Sequence, residues 1–310
     1  MLESSAKRRM AAGPVFLAWA SIMHCALLAG PCGTAQRIRV LFDIDCPGLG
    51  AVSPRVATGE IANAMTVGRT IPRAAREPWP YFGLAFLLAA AGFYPSFFAA
   101  IPTLSPAHLI HGFAATAWML LPLAQGLLIR LRARPLHRAV GWASIGLAAL
   151  VILSGLKIIQ IMAFKNLTDF HLRRVKFVLL DLTGLLLFGL FLAFALAAAR
   201  RRDIGLHVRL LAATALIPLE AALERLLSNL FPTLVPDFAV ALYAALLSME
   251  AIVAGVIVAE WRLGRVRWPM PFLLGYYVIM HIVATPVALT PQFQAFCVWY
   301  AHLPVFGTPL

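Results

Sequence analysis

Charged residues are scarce in this chain of 310 residues. Only 13% are Asp, Glu, Lys or Arg, whereas an ordinary soluble domain has about 25%. Acidic residues are half as frequent as basic ones, with 13 Asp and Glu against 26 Lys and Arg. The shortage of charge excludes an ordinary soluble enzyme. The 61% share of hydrophobic residues excludes a disordered chain, which would need low hydrophobicity. The net charge of +13 accompanies long apolar runs, so we interpret the chain as a basic membrane protein and predict no nucleic-acid partner.

Several motifs of enzymes and metal sites are also missing. The sequence has no P-loop, no HExxH and no GxSxG. ATP-driven transport by this chain alone is therefore not expected. The four cysteines form no CxxC pair, and His108 and His111 have no third ligand nearby in the sequence. We therefore predict no zinc-type metal site.

The apolar runs predict an all-α integral membrane protein, a bundle of seven transmembrane helices. A helix needs about 20 mostly apolar residues to cross a bilayer. From residue 79 onward such stretches lie near 79–102, 106–130, 138–162, 176–199, 207–230, 237–261 and 269–289. Proline residues mark several of the connections between them, as expected of segments that end helices.

The basic residues predict the orientation of these helices, because cytoplasmic loops carry an excess of Lys and Arg. One set of connections holds 13 arginines, whereas the other holds Lys165, Arg173, Arg174 and Lys176. The sequence therefore predicts a multi-pass protein of the bacterial inner membrane, with a cytoplasmic N-terminus, an outside C-terminus and anionic lipid bound at the cytoplasmic loops. The 13 arginines are Arg73, Arg76, Arg130, Arg132, Arg134, Arg138, Arg200, Arg201, Arg202, Arg209, Arg262, Arg265 and Arg267.

Three regions follow from this pattern. Residues 79–289 are the predicted transmembrane bundle. Residues 290–310 are an aromatic-rich tail without side-chain charge, which we expect at the outer interface. Residues 1–78 are a poorly defined N-terminal extension. Their start resembles a signal peptide, with Lys7, Arg8 and Arg9 before an apolar run; a mis-assigned start is the alternative.

Two segments of the predicted bundle resemble each other. IRLRARPLHRAVGWA (129–143) is similar to ARRRDIGLHVRLLAA (199–213) at an offset of 70 residues. The same offset places His137 on His207 and His111 on Asp181. Internal duplication is one explanation, since membrane proteins often contain repeats. The alternative is that any arginine-rich turn between Ala/Leu-rich helices has this composition.

Ionisable side chains inside the predicted spans need an explanation, because they are costly in a membrane and usually face the bundle interior. Glu220 and Glu224 lie one helical turn apart, so their carboxylates would repel each other in a low dielectric unless a proton or a cation is near. We predict an outward-facing polar pocket; the alternative is an ion-pair network that holds helices together. The residues of the predicted pocket are His111, Lys157, Asp181, Glu220, Glu224 and Arg225.

Four histidines alternate between the two sides of the predicted bundle. His111 and His171 fall towards the outer side, and His137 and His207 towards the inner side. Two histidines on different helices can hold a haem iron from both faces. We therefore consider these four residues as candidate haem b ligands. The alternative for His137 and His207, beside basic residues at helix starts, is contact with lipid phosphate.

The segments HGFAATAWMLLPLAQGLLIR and LHRAVGWASIGLAALVILSGL resemble a group of uncharacterised bacterial integral membrane proteins. The resemblance covers roughly 79–230 and implies no settled function. The alternating histidines are also remotely similar to ascorbate-type di-haem cytochromes b, in which four consecutive helices each carry one ligand. The positions that match the first pattern are His111, Gly112, Trp118, Gln125, His137, Arg138, Gly141, His207 and Arg209.

Two functional hypotheses remain at this point, beside a purely structural scaffold for other membrane proteins. The first is a membrane redox or electron-transfer component that binds haem b and meets a redox or protein partner. The second is a transporter or sensor without haem, whose polar pocket faces outward.

Overall fold

The computed structural model describes residues 79–168, 172–235 and 238–304, and these residues form helices and turns without a β-strand. A π-helical turn, Tyr94–Phe98, continues the first α-helix, and a 3-10 turn, Ile101–Thr103, precedes the second. The predictions made for residues 1–78 lie outside the described residues. The α-helices are α1 Trp79–Phe93, α2 Pro106–Arg130, α3 Arg134–Thr168, α4 Leu172–Arg200, α5 Ile204–Leu216, α6 Leu219–Leu230, α7 Phe238–Arg262, α8 Pro269–Ala288 and α9 Pro291–Ala301.

Among the described residues, seven helical segments are long and apolar enough to cross a membrane. The predicted all-α bundle of seven transmembrane helices is thereby confirmed. The third span is much longer than predicted: its 34 residues extend for about 50 Å at 1.5 Å per residue, against a hydrocarbon core of about 30 Å. The spans are Pro80–Phe98, Pro106–Arg130, Arg134–Leu167, Arg174–Arg200, Ile204–Leu230, Ala239–Arg262 and Pro269–Ala288.

The fifth span is interrupted in its middle, where α5 ends and α6 begins. Pro218 stands at the break. It has no N–H, so it cannot donate the hydrogen bond that the Thr214 carbonyl would accept in a continuous helix. On the α5 side of the break, the Tyr277 hydroxyl donates to the Leu216 carbonyl at 3.3 Å. The interruption therefore exposes backbone polar groups inside the bundle, and α8 satisfies one of them.

The main apolar core lies where α4, α5, α7 and α8 meet, with Phe191, Leu210, Leu246 and Leu273 fully or almost fully buried. Helix α1 packs against α6 on one side of this core. Their backbones approach very closely, because a Cβ atom on Gly92 would lie 2.2 Å from the Ala222 carbonyl oxygen. Only glycine allows this approach, which fixes the position of α6 beside α1.

Two turns of the bundle share one geometry at the predicted 70-residue offset. Arg132 has φ 58° and Arg202 has φ 60°, both in the left-handed region. Each turn closes a Schellman motif: the Ala133 N–H donates to the Leu128 carbonyl and the Asp203 N–H to the Ala198 carbonyl, both at 2.9 Å.

The turn after α7 has the same hydrogen-bond pattern with Gly264 at the left-handed position, although its sequence does not match the repeat. The shared geometry is therefore explained by the way helices end, and internal duplication stays a prediction. All three turns lie at the same side of the bundle, because they follow the second, fourth and sixth spans. We call this the arginine-rich side.

The described part of the tail forms α9, which packs on the C-terminal part of α3. The Gln160 side chain is fully buried and donates to the Leu303 carbonyl at 2.7 Å. The Tyr300 hydroxyl donates to the Leu156 carbonyl at 3.0 Å. Polar groups of α3 and of the tail therefore fix the tail to the bundle. Its location at the outer interface stays a prediction.

Candidate functional site

A cavity of about 360 Å³ lies between α1, α2, α3, α4, α6 and α8. It extends from the side opposite the arginine-rich side towards the middle of the bundle, from Phe98 and Leu104 to Trp118 and Met119. Cavities that bind small molecules have volumes of about 300–1,000 Å³ and mostly apolar walls with a few polar groups. This cavity has both properties. Its aromatic wall residues are Phe86, Phe93, Phe97, Phe98, Trp118, Phe188, Tyr276 and Tyr277.

Four ionisable side chains of the predicted pocket line this one cavity. They are His111 on α2, Asp181 on α4, and Glu220 and Arg225 on α6. Asp181 and Glu220 lie close enough to repel each other electrostatically, and Arg225 attracts both. The structure thus brings together residues of three helices that are far apart in the sequence. That they bind a ligand stays a prediction.

Glu220 is the most unusual of these groups. It lies in the first turn of α6, directly after the helix break, and only 5% of its surface is exposed. Its Oε1 atom is buried and accepts no hydrogen bond from the described residues. A buried polar atom without a partner is costly and is uncommon in folded proteins. Glu220 lines the cavity and has a buried, unused acceptor beside it.

Arg225 already has several neighbours. Its Nη1 donates to the Ala221 carbonyl at 2.6 Å and lies 3.7 Å from the Glu224 carboxylate. Its guanidinium also lies over the Phe93 ring, 4.8 Å from the centroid. Glu224 is almost fully buried but is not a wall residue of the cavity. One guanidinium therefore stands among three carboxylates, those of Asp181, Glu220 and Glu224.

The hydrogen bonds of His111 define its tautomer. Its Nδ1 lies 3.1 Å from the Ser154 hydroxyl oxygen, and that hydroxyl donates to the Leu150 carbonyl at 2.6 Å. Because the hydroxyl proton is already used, Nδ1 carries the imidazole proton and donates it to Ser154. The Nε2 lone pair is then available, and no hydrogen bond to it occurs in the described residues. His111 can accept a proton or a hydrogen bond, or bind an iron.

Two glycines make room around His111. A Cβ atom on Gly155 would lie 3.4 Å from the His111 ring and 3.2 Å from Leu185, so glycine lets α3 approach here. A Cβ atom on Gly112 would lie 1.9 Å from the Phe97 ring. Phe97 comes from the π-helical turn that follows α1, and such turns are frequent at functional sites. His111 thus supplies a polar group to the cavity, and Gly112 leaves space for the aromatic ring beside it.

Lys157, the remaining residue of the predicted pocket, lies elsewhere. Its ammonium donates to Gln160 Oε1 at 3.1 Å, and it is not among the wall residues. It therefore belongs to the part of α3 that holds the tail. A separate polar pair lies between α7 and α8, where His281 Nδ1 and Glu250 Oε1 are 2.9 Å apart.

The other candidate haem ligands are distant from the cavity wall or not described. His137 and His207 begin α3 and α5 near the arginine-rich side, close enough to interact electrostatically. The His207 Nδ1–H donates to the Ala195 carbonyl at 2.9 Å, whereas His137 Nδ1 is buried without a partner in the described part of the chain. His171 lies outside the described residues, so its pairing with His111 stays a prediction. In the described ranges, no group of three or more His, Cys, Asp or Glu side chains is arranged to hold a metal ion.

The sequence pattern did not identify several parts of this site. Phe97, Tyr276 and Tyr277 look like ordinary residues of apolar helices. The break at Pro218 had a signal, because a proline lies inside the fifth apolar run and is followed two residues later by Glu220. Comparison with known proteins gives no relative: no family model, no curated protein and no solved structure matches this chain. The predicted family resemblance therefore stays a prediction.

Proposed function

We propose that this membrane protein binds a small solute in the cavity and acts as a transporter or a sensor without haem. The observation that carries the proposal is the buried, unpartnered Oε1 of Glu220 at the wall of a 360 Å³ cavity inside the described bundle. Other buried side chains, such as Gln125 and Glu260, also have an oxygen without a partner among the described residues, but they do not line the cavity, whereas Glu220 does. A solute with an N–H or O–H group would supply the partner that a buried oxygen usually has.

The interrupted fifth span supports the same proposal. Substrate sites of many transporters lie beside broken transmembrane helices, because unwound backbone supplies polar groups to the ligand. Here Ile217, Pro218 and Glu220 are all wall residues, so the break and the cavity coincide.

The proposal is tested by the accessibility of the cavity to water. Ala115 is a wall residue and Ala148 is a buried core residue, so Ala115→Cys and its control Ala148→Cys differ in access rather than in chemistry. Both substitutions are placed in a chain whose own four cysteines are replaced by serine.

A membrane-impermeant thiol reagent is then applied to either face of sealed vesicles. A transporter predicts modification of the Ala115→Cys thiol from both faces, and a sensor predicts modification from one face. Protection of this thiol from both faces would contradict either function.

A second candidate function is haem b binding at His111, with a role in electron transfer. It is favoured by one observation, the free Nε2 of an imidazole whose Nδ1–H is held by Ser154. Histidines that bind metals commonly have their second nitrogen fixed in this way. Haem would supply one-electron redox chemistry, and His111 would hold its iron from one face. Among the described histidines, His108 is the other one at the cavity wall.

The absorption spectrum of the purified protein separates the two functions. After expression with haem supplied, the haem hypothesis predicts a Soret band that is lost in His111→Ala. The absence of this band in the wild-type protein would eliminate the second candidate and leave the first.

We also propose that the protein lies in the bacterial inner membrane, with its N-terminus inside, its C-terminus outside and its arginine-rich side on anionic lipid. The concentration of arginine at the turns around Arg132, Arg202 and Gly264 supports this orientation. In intact cells, His302→Cys should react with an impermeant reagent, whereas Arg201→Cys should not; the reverse pattern would overturn the orientation.

A further inference from the structure

We infer that the solute of this cavity is a small organic monocation, a protonated or quaternary amine with an apolar body. This inference rests on the proposed function and names its substrate class. Three observations carry it: the charge of the wall, the unused acceptors and the aromatic walls.

The charge around the polar end of the cavity is unbalanced. Asp181, Glu220 and Glu224 supply three carboxylates, and Arg225 supplies one guanidinium within electrostatic reach of them. Part of that guanidinium is already occupied by Glu224, the Ala221 carbonyl and the Phe93 ring. Carboxylates inside a low-dielectric bundle need a proton or a cation nearby. A solute with one positive charge meets this need, whereas an anion would worsen it.

Two of the unused polar atoms at the wall, on Glu220 and His111, are acceptors that suit a cation, and one, the Trp118 Nε1–H, is a donor. Glu220 Oε1 has no hydrogen-bond partner among the described residues, and the Glu220 side chain is almost fully buried. The Nε2 lone pair of His111 is also available, because Nδ1 holds the ring proton. A protonated amine can donate to acceptors of this kind, and a quaternary amine is attracted to the Glu220 carboxylate by charge alone.

The remaining walls suit the apolar body of such a solute. Phe93, Phe97, Trp118 and Phe188 provide aromatic faces, which attract organic cations more than neutral molecules of the same shape. The volume of about 360 Å³ accommodates an aromatic ring together with a small ammonium group. Inorganic cations would leave most of these walls without contact.

The test uses the full chain in detergent and two probes of one shape. Benzyltrimethylammonium carries the charge, and its carbon analogue (2,2-dimethylpropyl)benzene is neutral. Binding is measured by calorimetry. We expect the cation to bind at least about tenfold more tightly than the neutral probe, from ion pairing and cation–π contact. Glu220→Gln should remove this preference, while binding of the neutral probe stays.

Glu250→Gln is the matched control, since Glu250 is another membrane carboxylate that pairs with His281 away from the cavity. It should keep the preference for the cation. Asp181→Asn is a second test variant, expected to weaken cation binding even if Glu220→Gln does not fold. Equal binding of both probes, no binding of the cation, or equal effects of Glu220→Gln and Glu250→Gln would overturn the inference.

Failure of this inference can be told apart from failure of the proposed function. If the Ala115→Cys thiol is accessible to the impermeant reagent but the cation does not bind, the cavity is a solute site and only the substrate class is wrong. If that thiol is protected from both faces, the proposed function itself fails.

Discussion

The contact between Gly92 and Ala222 gives the sharpest prediction about packing. In Gly92→Ala the new Cβ would lie 2.2 Å from the Ala222 carbonyl oxygen, whereas ordinary van der Waals contact begins at 3.4 Å. The obstacle is the backbone of α6 and not the end of a flexible side chain. Helices α1 and α6 must therefore separate by about 1 Å along this contact, a displacement that overpacked cores resist at a cost of about 1–3 kcal/mol.

The helical preference for alanine works in the opposite direction. Replacing a glycine inside a helix by alanine gains about 1 kcal/mol. Gly146→Ala is the control for this gain, because nothing lies within 4 Å of a Cβ atom at Gly146. We expect Gly146→Ala to be neutral or up to about 1 kcal/mol more stable, and Gly92→Ala to be less stable than wild type by about 1–2 kcal/mol.

Thermal unfolding of both variants in one detergent measures the difference. The midpoint should fall in Gly92→Ala and stay or rise in Gly146→Ala. Because Ala222 follows the wall residues Glu220 and Ala221, the same separation should also deform the cavity and weaken binding of any solute there. Equal midpoints for the two variants would refute the close approach of α1 and α6.

Three further predictions concern other parts of the molecule. Gln160→Leu leaves the Leu303 carbonyl without its buried donor, so the tail should be destabilised by about 1–3 kcal/mol. Backbone amide hydrogen exchange across α9 should then become faster, and unchanged exchange would contradict the prediction. The hydrogen bond from Arg267 lowers the pKa of Asp203 below its ordinary value of 3.8. The stabilising effect of this exposed pair is therefore present above pH 3.8 and is lost as the pH falls through the pKa of Asp203 in the folded protein. Asp203→Asn should remove that part of the acid dependence of unfolding, and an unchanged acid profile would argue against the pair. Burial raises the pKa of Cys297 to about 11, so this thiol should resist maleimide at neutral pH until the protein is unfolded; rapid labelling of the folded protein would show that α9 does not cover it.

The spans could be predicted from the sequence because a bilayer-spanning helix needs only length and apolar composition, which are local properties. Histidine, aspartate and glutamate residues inside those spans also marked much of the polar pocket, since each is costly in a membrane wherever its helix lies. Neither property tells which helices are neighbours. Lys157 illustrates the limit: its position in the sequence predicted a place in the polar pocket with Glu220, but its direction around α3 places it with Gln160 and the tail.

The cavity itself depends on contacts between distant segments. Gly92 meets Ala222 and Gly112 meets Phe97 only because α1 lies beside α6 and the π-helical turn lies over α2. A single sequence does not show which helices are neighbours, so it does not predict these contacts. The break at Pro218 is an intermediate case, since a proline in an apolar run predicts an interruption but not the cavity beside it.

The central claim is that the bundle contains a water-accessible solute cavity beside Glu220. The rate at which an impermeant thiol reagent modifies Ala115→Cys, relative to Ala148→Cys, tests this claim most directly. The account predicts that the thiol at the cavity wall reacts many times faster than the thiol in the core of the folded protein, and that the difference disappears on unfolding. Equal, slow rates for both variants in the folded protein would contradict it.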